Sequence, residues 1–394
     1  MREGWATKSL GGLCTIQLGK TPYRKNPKFW DKNKLSGNIW LSIADLKHGK
    51  EINDSKEQIT HIAAKDLVKI PSGTLMVSFK LTLGRVSFAG ADVYTNEAIA
   101  SLLNLDGNIS INFLYYYFSF LDWDKLAEGD VKVKGKTLNK QKLKELEVIV
   151  PPLPEQKQIV AILDKAFAAI DKAKANAQQN LKNAKELFES YLDKMFSEIF
   201  QSNQSKTIKE LAKVNGGYSF KSGEFKKSGK YQVIRMGNVR PGIIREIENP
   251  VFIDKLDEKI LSKALLNPND VIITQTGTKK KRDYGFTVII EKTNYLLNQR
   301  IASIRFSEIY IPKFFLYFSW TNNFKDQYFA NETGTVGQGN VGIGAITDAK
   351  VPFIGLLEQK DVIGKIDEML GETQKLESIY KKKISDLEEL KKKC

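Results

Sequence analysis

Histidine and cysteine are scarce in this 394-residue sequence, with two of each. Cys14 and Cys394 stand at opposite ends of the chain and neither lies in a CxxC. Neither a disulfide framework nor a thiolate metal site is implied, and both read as incidental thiols of a reducing compartment. His48 and His61 fall in polar segments, and no Ser or Cys context marks a nucleophile elbow. A run of about 18 apolar residues is missing, and the N-terminal MREGWATKSL lacks the apolar core of a signal peptide. A soluble, cytoplasmic protein is therefore expected.

Motifs of cofactor chemistry are missing too. No GxxxxGK[ST] occurs, which excludes an ATP-binding P-loop. The amino-methyltransferase signature, an acidic or Asn residue before two prolines and an aromatic, is absent. The only adjacent prolines are Pro151 and Pro152 in IVPPLP. GTVGQGNVGIG does contain a GxGxxG at Gly337, Gly339 and Gly342, but an aromatic, helix-like segment precedes it and ITDAKVPF follows. A dinucleotide site needs a strand before the glycines and a helix after them, so the stretch reads as a loop whose backbone can approach a phosphate. The chain shows no catalytic constellation.

What is present is basic charge and repetition. Lys and Arg number 61 against 46 Asp and Glu, for a net charge of +15. That excess favours a polyanionic partner, nucleic acid first and an anionic membrane surface second. At 42% hydrophobic residues the chain is not a disordered one, and its length suits two or three domains.

The sequence is written twice. KSLGGLCTIQLGKT (8–21) is echoed by KTIKELAKVNGGYS (206–219), with Leu10, Leu13, Ile16 and Gly19 matching Ile208, Leu211, Val214 and Gly217. IWLSIADLKHG (39–49) matches QVIRMGNVRPG (232–242), and IPSGTLMVS (70–78) matches LNPNDVIIT (266–274); both pairs read as strands bounded by turns. TNEAIASL (95–102) pairs with LNQRIASI (297–304), and INFLYYYFSF (111–120) with IPKFFLYFSW (311–320). Each pair alone is weak, but their shared order is the mark of duplication.

Each copy ends in PPLPEQKQIVAILD or VPFIGLLEQKDVIG and then a long apolar periodicity. In the first, Ile159, Leu163, Ala166, Ile170, Ala173, Ala177, Leu181, Ala184, Phe188, Tyr191, Met195 and Ile199 step by threes and fours. In the second, Val362, Ile366, Met369, Thr373, Leu376, Tyr380, Ile384, Leu387 and Leu390 do the same. These are coiled-coil seams, and a helix of about 45 residues spans about 65 Å. Packed antiparallel, two such helices are expected to act as a ruler between two heads related by a pseudo-twofold axis. Glu155 and Glu358 fall near helix N-termini, where the dipole favours an anion, so the shared Glu-Gln-Lys needs no catalytic explanation.

Basic and polar loops punctuate each globular copy. In the first, GKTPYRKNPK, SFKLTLGR and VKVKGKTLNK carry Lys20, Thr21, Arg24, Lys25, Lys80, Arg85, Lys134 and Lys136. In the second, YSFKSGEFKKSGK, TQTGTKKKRDYG and TVGQGN carry Lys221, Lys226, Lys227, Thr276, Thr278, Lys279, Lys280, Lys281, Arg282, Gln338 and Asn340. Lys and Arg neutralise phosphates, while Gln, Asn, Thr and Arg can read base edges, so these residues are the candidate DNA contacts. Two other classes stay open on the residues alone. One is a nuclease or methyltransferase with its own active site; the other is a tandem RNA-binding or purely structural coiled-coil protein.

A variable globular unit, PPLPEQKQIVAILD opening a long helix, a second variable unit and a second Glu-Gln-Lys helix together resemble the specificity subunit of type I restriction-modification enzymes. The resemblance covers the whole chain; LGGLCTIQLGKT and IKELAKVNGGYS support it. It implies an α+β fold in which two similar mixed α/β target recognition domains, residues 1–152 and 201–352, are joined by long antiparallel coiled-coil helices, residues 153–200 and 353–394. It implies that each domain reads half of a bipartite double-stranded DNA target and that the subunit has no activity of its own. It also implies two methyltransferase subunits docked on the helices, carrying S-adenosylmethionine, and motor-nuclease subunits using ATP and Mg²⁺. The second helix departs from the pattern, since VPFIGLLEQK lacks the proline pair.

Overall fold

The computed structural model describes residues 2–47, 50–127, 131–132, 135–136, 138–335 and 337–393. His48, Lys134 and Cys394 lie outside them. The chain forms two compact units, Met1–Lys174 with Ser385–Cys394, and Ala175–Ile384.

In the first unit, the apolar runs Leu75–Ser78 and Ile99–Leu103 are buried on almost every residue and form the middle of a five-stranded sheet. Its order is Thr15–Leu18, Ile99–Leu103, Leu75–Ser78, Val86–Ala89 and Glu51–Ile52. A second sheet runs Trp30–Asp31, Glu57–Ile59, Ile39–Leu41 and Tyr94–Thr95, the last pair parallel. Helix Ile111–Phe120 lays Phe113, Leu114 and Phe118 on Leu75, Val77 and Leu102, forming the main core. Cys14 is buried in that core, which pushes its thiol up to about 12 and leaves it unreactive.

The second unit repeats this plan. Ala212–Gly216, Ile301–Phe306, Val271–Thr274 and Thr287–Ile289 make an antiparallel sheet. Phe252–Ile253, Tyr231–Ile234 and Tyr295–Leu297 make the second, with the last pair again parallel. Helix Pro312–Phe318 takes the place of Ile111–Phe120.

In both units an opening strand pairs antiparallel with a closing one, Ala6–Ser9 with Glu147–Val150 and Ser205–Thr207 with Lys350–Pro352. The matched glycines have a steric reason. A Cβ on Gly19 would lie 2.0 Å from the carbonyl oxygen of Thr95, and one on Gly217 would lie 1.9 Å from that of Asn298. No larger residue fits such a contact unless the backbones part.

Each closing strand leads into a long helix, α1 (Leu153–Ser202) or α2 (Leu356–Lys393). The middle residue of the Glu-Gln-Lys triplet fastens each one. Gln156 is fully buried: its Oε1 accepts from the Ser110 N–H at 2.8 Å, and its Nε2 donates to the carbonyls of Asn108 at 2.9 Å and Pro151 at 2.7 Å. Gln359, equally buried, accepts from the Ile311 N–H at 2.8 Å and donates to the carbonyls of Ile309 at 3.2 Å and Ile354 at 2.9 Å. Loss of the proline pair therefore leaves the attachment of the second helix unaltered, because the same three bonds hold it. One turn pair further on, the Tyr116 hydroxyl donates to Asp164 and the Tyr317 hydroxyl to Asp367, repeating the register again.

The α1 seam is buried or half-buried at every expected position from Ile159 to Ile199. Phe167 stacks on Tyr116 and Phe120, and Phe196 packs on Phe314 and Phe318. Within the first unit Asp171 meets Lys391 and Lys174 meets Glu388, so there α1 and α2 run antiparallel. On α2 the seam departs from the expected heptads, since Leu376 is 40% and Leu390 47% exposed while Glu377 turns inward. Tyr380, Ile384 and Leu387 remain half-buried between them, so the departure is confined to those positions.

Candidate nucleic-acid interface

In the second unit, two of the basic and polar loops meet. Thr276–Gly277 pairs antiparallel with Gly339–Asn340, and Gln275 exchanges two hydrogen bonds with the backbone of Val341, at 2.8 Å and 3.0 Å. The glycine-rich stretch is thus not an open loop. Gly339 and Asn340 are a short strand, and helix Ile343–Thr347 follows. The corresponding contact in the first unit is the Leu138 N–H donating to Phe79 at 3.0 Å, which joins the segments of Lys80 and Lys136.

The turn after Thr276 is built to present charge. The Asp283 carboxylate accepts from the Thr278 N–H at 2.6 Å and from its hydroxyl at 3.2 Å. The backbone N–H bond foremost holds the Asp283 carboxyl below its usual range, so the group stays ionised. Arg282 takes a left-handed backbone, φ 47°, and lays its guanidinium 4.8 Å from the Phe329 ring. Between them, Lys279 and Lys280 have no protein partner among the described residues, while Lys281 lies near enough to Asp283 to help hold its carboxyl low. Lys221, Lys227 and Gln338 are exposed and likewise unpartnered.

Other expected contacts are held differently. Thr276 is 3% exposed and gives its hydroxyl to Asn340 at 2.8 Å, so it supports Asn340 and does not itself face solvent. Arg85 turns its guanidinium onto the carbonyl of Ile43 at 2.9 Å, so it is held by the protein. Lys226 pairs with Asp254 at 2.7 Å. In the first unit Thr21 donates to Glu97, and Lys20 and Lys25 are exposed. Arg24 pairs with Glu57 at 2.6 Å and stands over Trp30 and Trp40, 4.1 and 4.7 Å from their ring centroids. Such stacking orders the guanidinium before any ligand arrives. Lys80 lies over Phe79. Lys136 is in the short strand Gly135–Lys136, and Lys134 is outside the described residues.

Composition did not announce a third polar surface in the second unit. Arg235, Asn298, Gln299 and Arg300 line a cleft of about 510 Å³ where the parallel strands Tyr231–Ile234 and Tyr295–Leu297 end. The available signal was the difference between copies: LNQRIASI and TNEAIASL agree in their asparagine and their buried IAS and differ at the two residues between, Gln-Arg against Glu-Ala.

Residues 2–183 and 201–386 each match the family model of the type I restriction modification DNA specificity domain. The chain belongs to this family. Sequence-specific recognition of DNA is accordingly its function, and the two matched segments are its two specificity domains. Among its relatives, the MjaIX specificity subunit of Methanocaldococcus jannaschii is 25% identical over 305 residues, which make up 71% of this chain and 68% of that protein. The HindI specificity subunit of Haemophilus influenzae is 28% identical over 185 residues, 45% of this chain and 38% of that one. The fold is shared with the HsdS subunit of Thermoanaerobacter tengcongensis, with a TM-score of 0.60 and 14% identity over 100% of this chain and 95% of that one. It is also shared with a chain from a structure of type I R-M complex assembly and conformational transition, with a TM-score of 0.73 and 14% identity over 100% and 96% of the two chains.

Among the described residues of this family member, no three His, Cys, Asp or Glu side chains cluster to hold a metal, and no helix is long and apolar enough to cross a membrane.

Proposed function

We propose that each specificity domain reads one half of a bipartite target in double-stranded DNA, and that α1 and α2 set the spacing and dock methyltransferase subunits. In this reading the chain contributes recognition and assembly, and catalysis resides in its partners. S-adenosylmethionine is carried by the methyltransferase, and ATP and Mg²⁺ by motor-nuclease subunits that join for cleavage.

The observation that carries the proposal is the duplication at the level of hydrogen bonds. Gln156 and Gln359 fasten each domain to its own helix through the same three backbone groups, while the loops between the matched strands differ in length and chemistry. Two domains of one fold with unlike loops suit two different half-sites. Phosphate contacts by Lys279, Lys280 and Lys281 would hold the domain on the duplex, and neighbouring polar side chains would read base edges. Exposed apolar residues on the helices, Ile162, Leu187, Leu357 and Ile379, suit a protein partner.

Methylation mapping by single-molecule sequencing tests this reading. DNA from cells expressing the chain with its methyltransferase is compared with DNA from cells expressing the methyltransferase alone. A two-part motif with an unspecified gap, present only with the chain, is expected. An assembled complex with bound methyl donor that produces no new methylation would refute the proposal.

A further inference from the structure

The cleft at the ends of the parallel strands in the second domain carries unsatisfied recognition chemistry. Two of its lining residues hold buried polar atoms with no partner among the described residues, the acceptor Asn298 Oδ1 and the donor Arg235 Nε. Buried polar atoms are normally paired, so a lone acceptor and a lone donor in one cleft mark a place where a ligand completes the bonding. Beside them Arg300 has an exposed guanidinium with no protein partner among the described residues.

The backbone here is held under strain. Arg300 adopts φ 67°, a conformation that favours glycine. Neighbours pin every residue of the loop: the Asn298 N–H donates to Ile234 at 3.3 Å, the Gln299 N–H to Tyr218 at 2.9 Å, and the Arg300 carbonyl accepts from the Gln275 N–H at 2.8 Å. The last two bonds tie the cleft to segments 218–230 and 274–285, which carry the basic loops of this domain.

The first domain uses the same loop without the lone carboxamide oxygen or the arginine, and its unpartnered atom there is the Thr95 hydroxyl. There Asn96 Oδ1 accepts from the Ala98 N–H at 3.1 Å, Glu97 accepts from Thr21, and Ala98 stands where the second domain has Arg300. The flanking Ile99 and Ile301 are fully buried in both. The fold therefore needs the loop but not its arginine, and a strained arginine without a structural partner calls for another reason.

We propose that this cleft reads one G·C base pair of the second half-site from the major groove. Arg300 donates two hydrogen bonds to guanine O6 and N7, and the Asn298 carboxamide, turned out of its buried position, accepts through Oδ1 from the N4 amine of the paired cytosine. Both sets of atoms lie side by side on one G·C pair, and the reversed or A·T pair leaves the guanidinium facing an amine or a methyl group. This assignment rests on the proposed division of the target between the two domains.

The test uses the full chain copurified with its methyltransferase and a library of randomised DNA duplexes. Arg300→Gly deletes the guanidinium and relieves the backbone strain, so its melting temperature is expected to equal or exceed that of the unaltered chain. Discrimination at one G·C position of one half-site should fall by about 10- to 100-fold, with the other half-site unchanged. Arg300→Lys should restore affinity more than it restores discrimination, since a lysine keeps the charge but not the planar fork. An unchanged motif in Arg300→Gly would overturn the assignment, as would an equal loss of affinity for all sequences, which marks a phosphate contact. Failure of the unaltered complex to select any two-part motif would instead refute the division of the target, and this assignment with it.

Discussion

Replacing Gln156 with leucine puts an apolar side chain of similar bulk in its place and removes its three hydrogen bonds. The Ser110 N–H and the Asn108 carbonyl, both part-buried, and the buried Pro151 carbonyl would then lose their partner. A buried group left unpaired costs about 1–3 kcal/mol, and with two of the three only part-buried the total is about 5 kcal/mol; burial of the leucine offsets about 2 kcal/mol, which leaves a net loss of about 3 kcal/mol. Because the bonds join the helix start to the turn before Ile111–Phe120, the loss should appear as local opening there. Native-state hydrogen exchange followed by mass spectrometry reads it directly: a loss of about 3 kcal/mol speeds exchange at Ser110 by about 100-fold. The same substitution at Gln359 should expose Ile311 and leave Ser110 protected. Unchanged protection at Ser110, or equal loss at both places from one substitution, would refute the claim that each glutamine fastens its own domain.

Three further outcomes follow from the geometry. Changing Lys279, Lys280 and Lys281 together to glutamate should weaken DNA binding and lower the slope of log affinity against log salt by about 3, measured by fluorescence anisotropy across a salt series; an unchanged slope would remove this loop from the phosphate backbone. Gly217→Ala should destabilise the second domain by about 2 kcal/mol in thermal denaturation, because its Cβ would sit 1.9 Å from the Asn298 carbonyl oxygen and the strands must part; an unaltered melting curve would contradict the close approach. The Tyr116 hydroxyl, and then Lys50, hold the Asp164 carboxyl below its usual value. That stabilisation is complete above the unfolded value of about 4 and is lost as pH falls through the depressed folded value. Tyr116→Phe should therefore flatten the acid decline in stability, and an identical decline in both proteins would count against the pairing.

Much of the architecture was legible because duplication and periodicity are one-dimensional. Apolar spacing marked both long helices, and matched blocks such as TNEAIASL and LNQRIASI marked equivalent strands. The glycine pair Gly19 and Gly217 was visible as a match, although its cause, the approach of a carbonyl from a distant strand, was not. The Glu-Gln-Lys triplets were visible too, but the dipole argument drew attention to the glutamate, and burial showed the glutamine to be the fastening residue. Among the loop residues, sequence chemistry named Thr276 and Arg85 alongside Lys279. Only packing showed that the first two bond to the protein and that Lys279 is left free.

The sequence by itself determined the twofold repetition, the two seams and the basic balance, because these depend on residue order and composition alone. Tertiary structure decided which polar side chains remain unsatisfied. That depends on what distant segments bring to them: Gln275, Tyr218 and Ile234 pin the backbone of Asn298, Gln299 and Arg300, while the Asn298 carboxamide oxygen and the Arg235 Nε are left without partners. In the first domain the equivalent Asn96 is satisfied within its own turn, a difference that no reading of residue types contains.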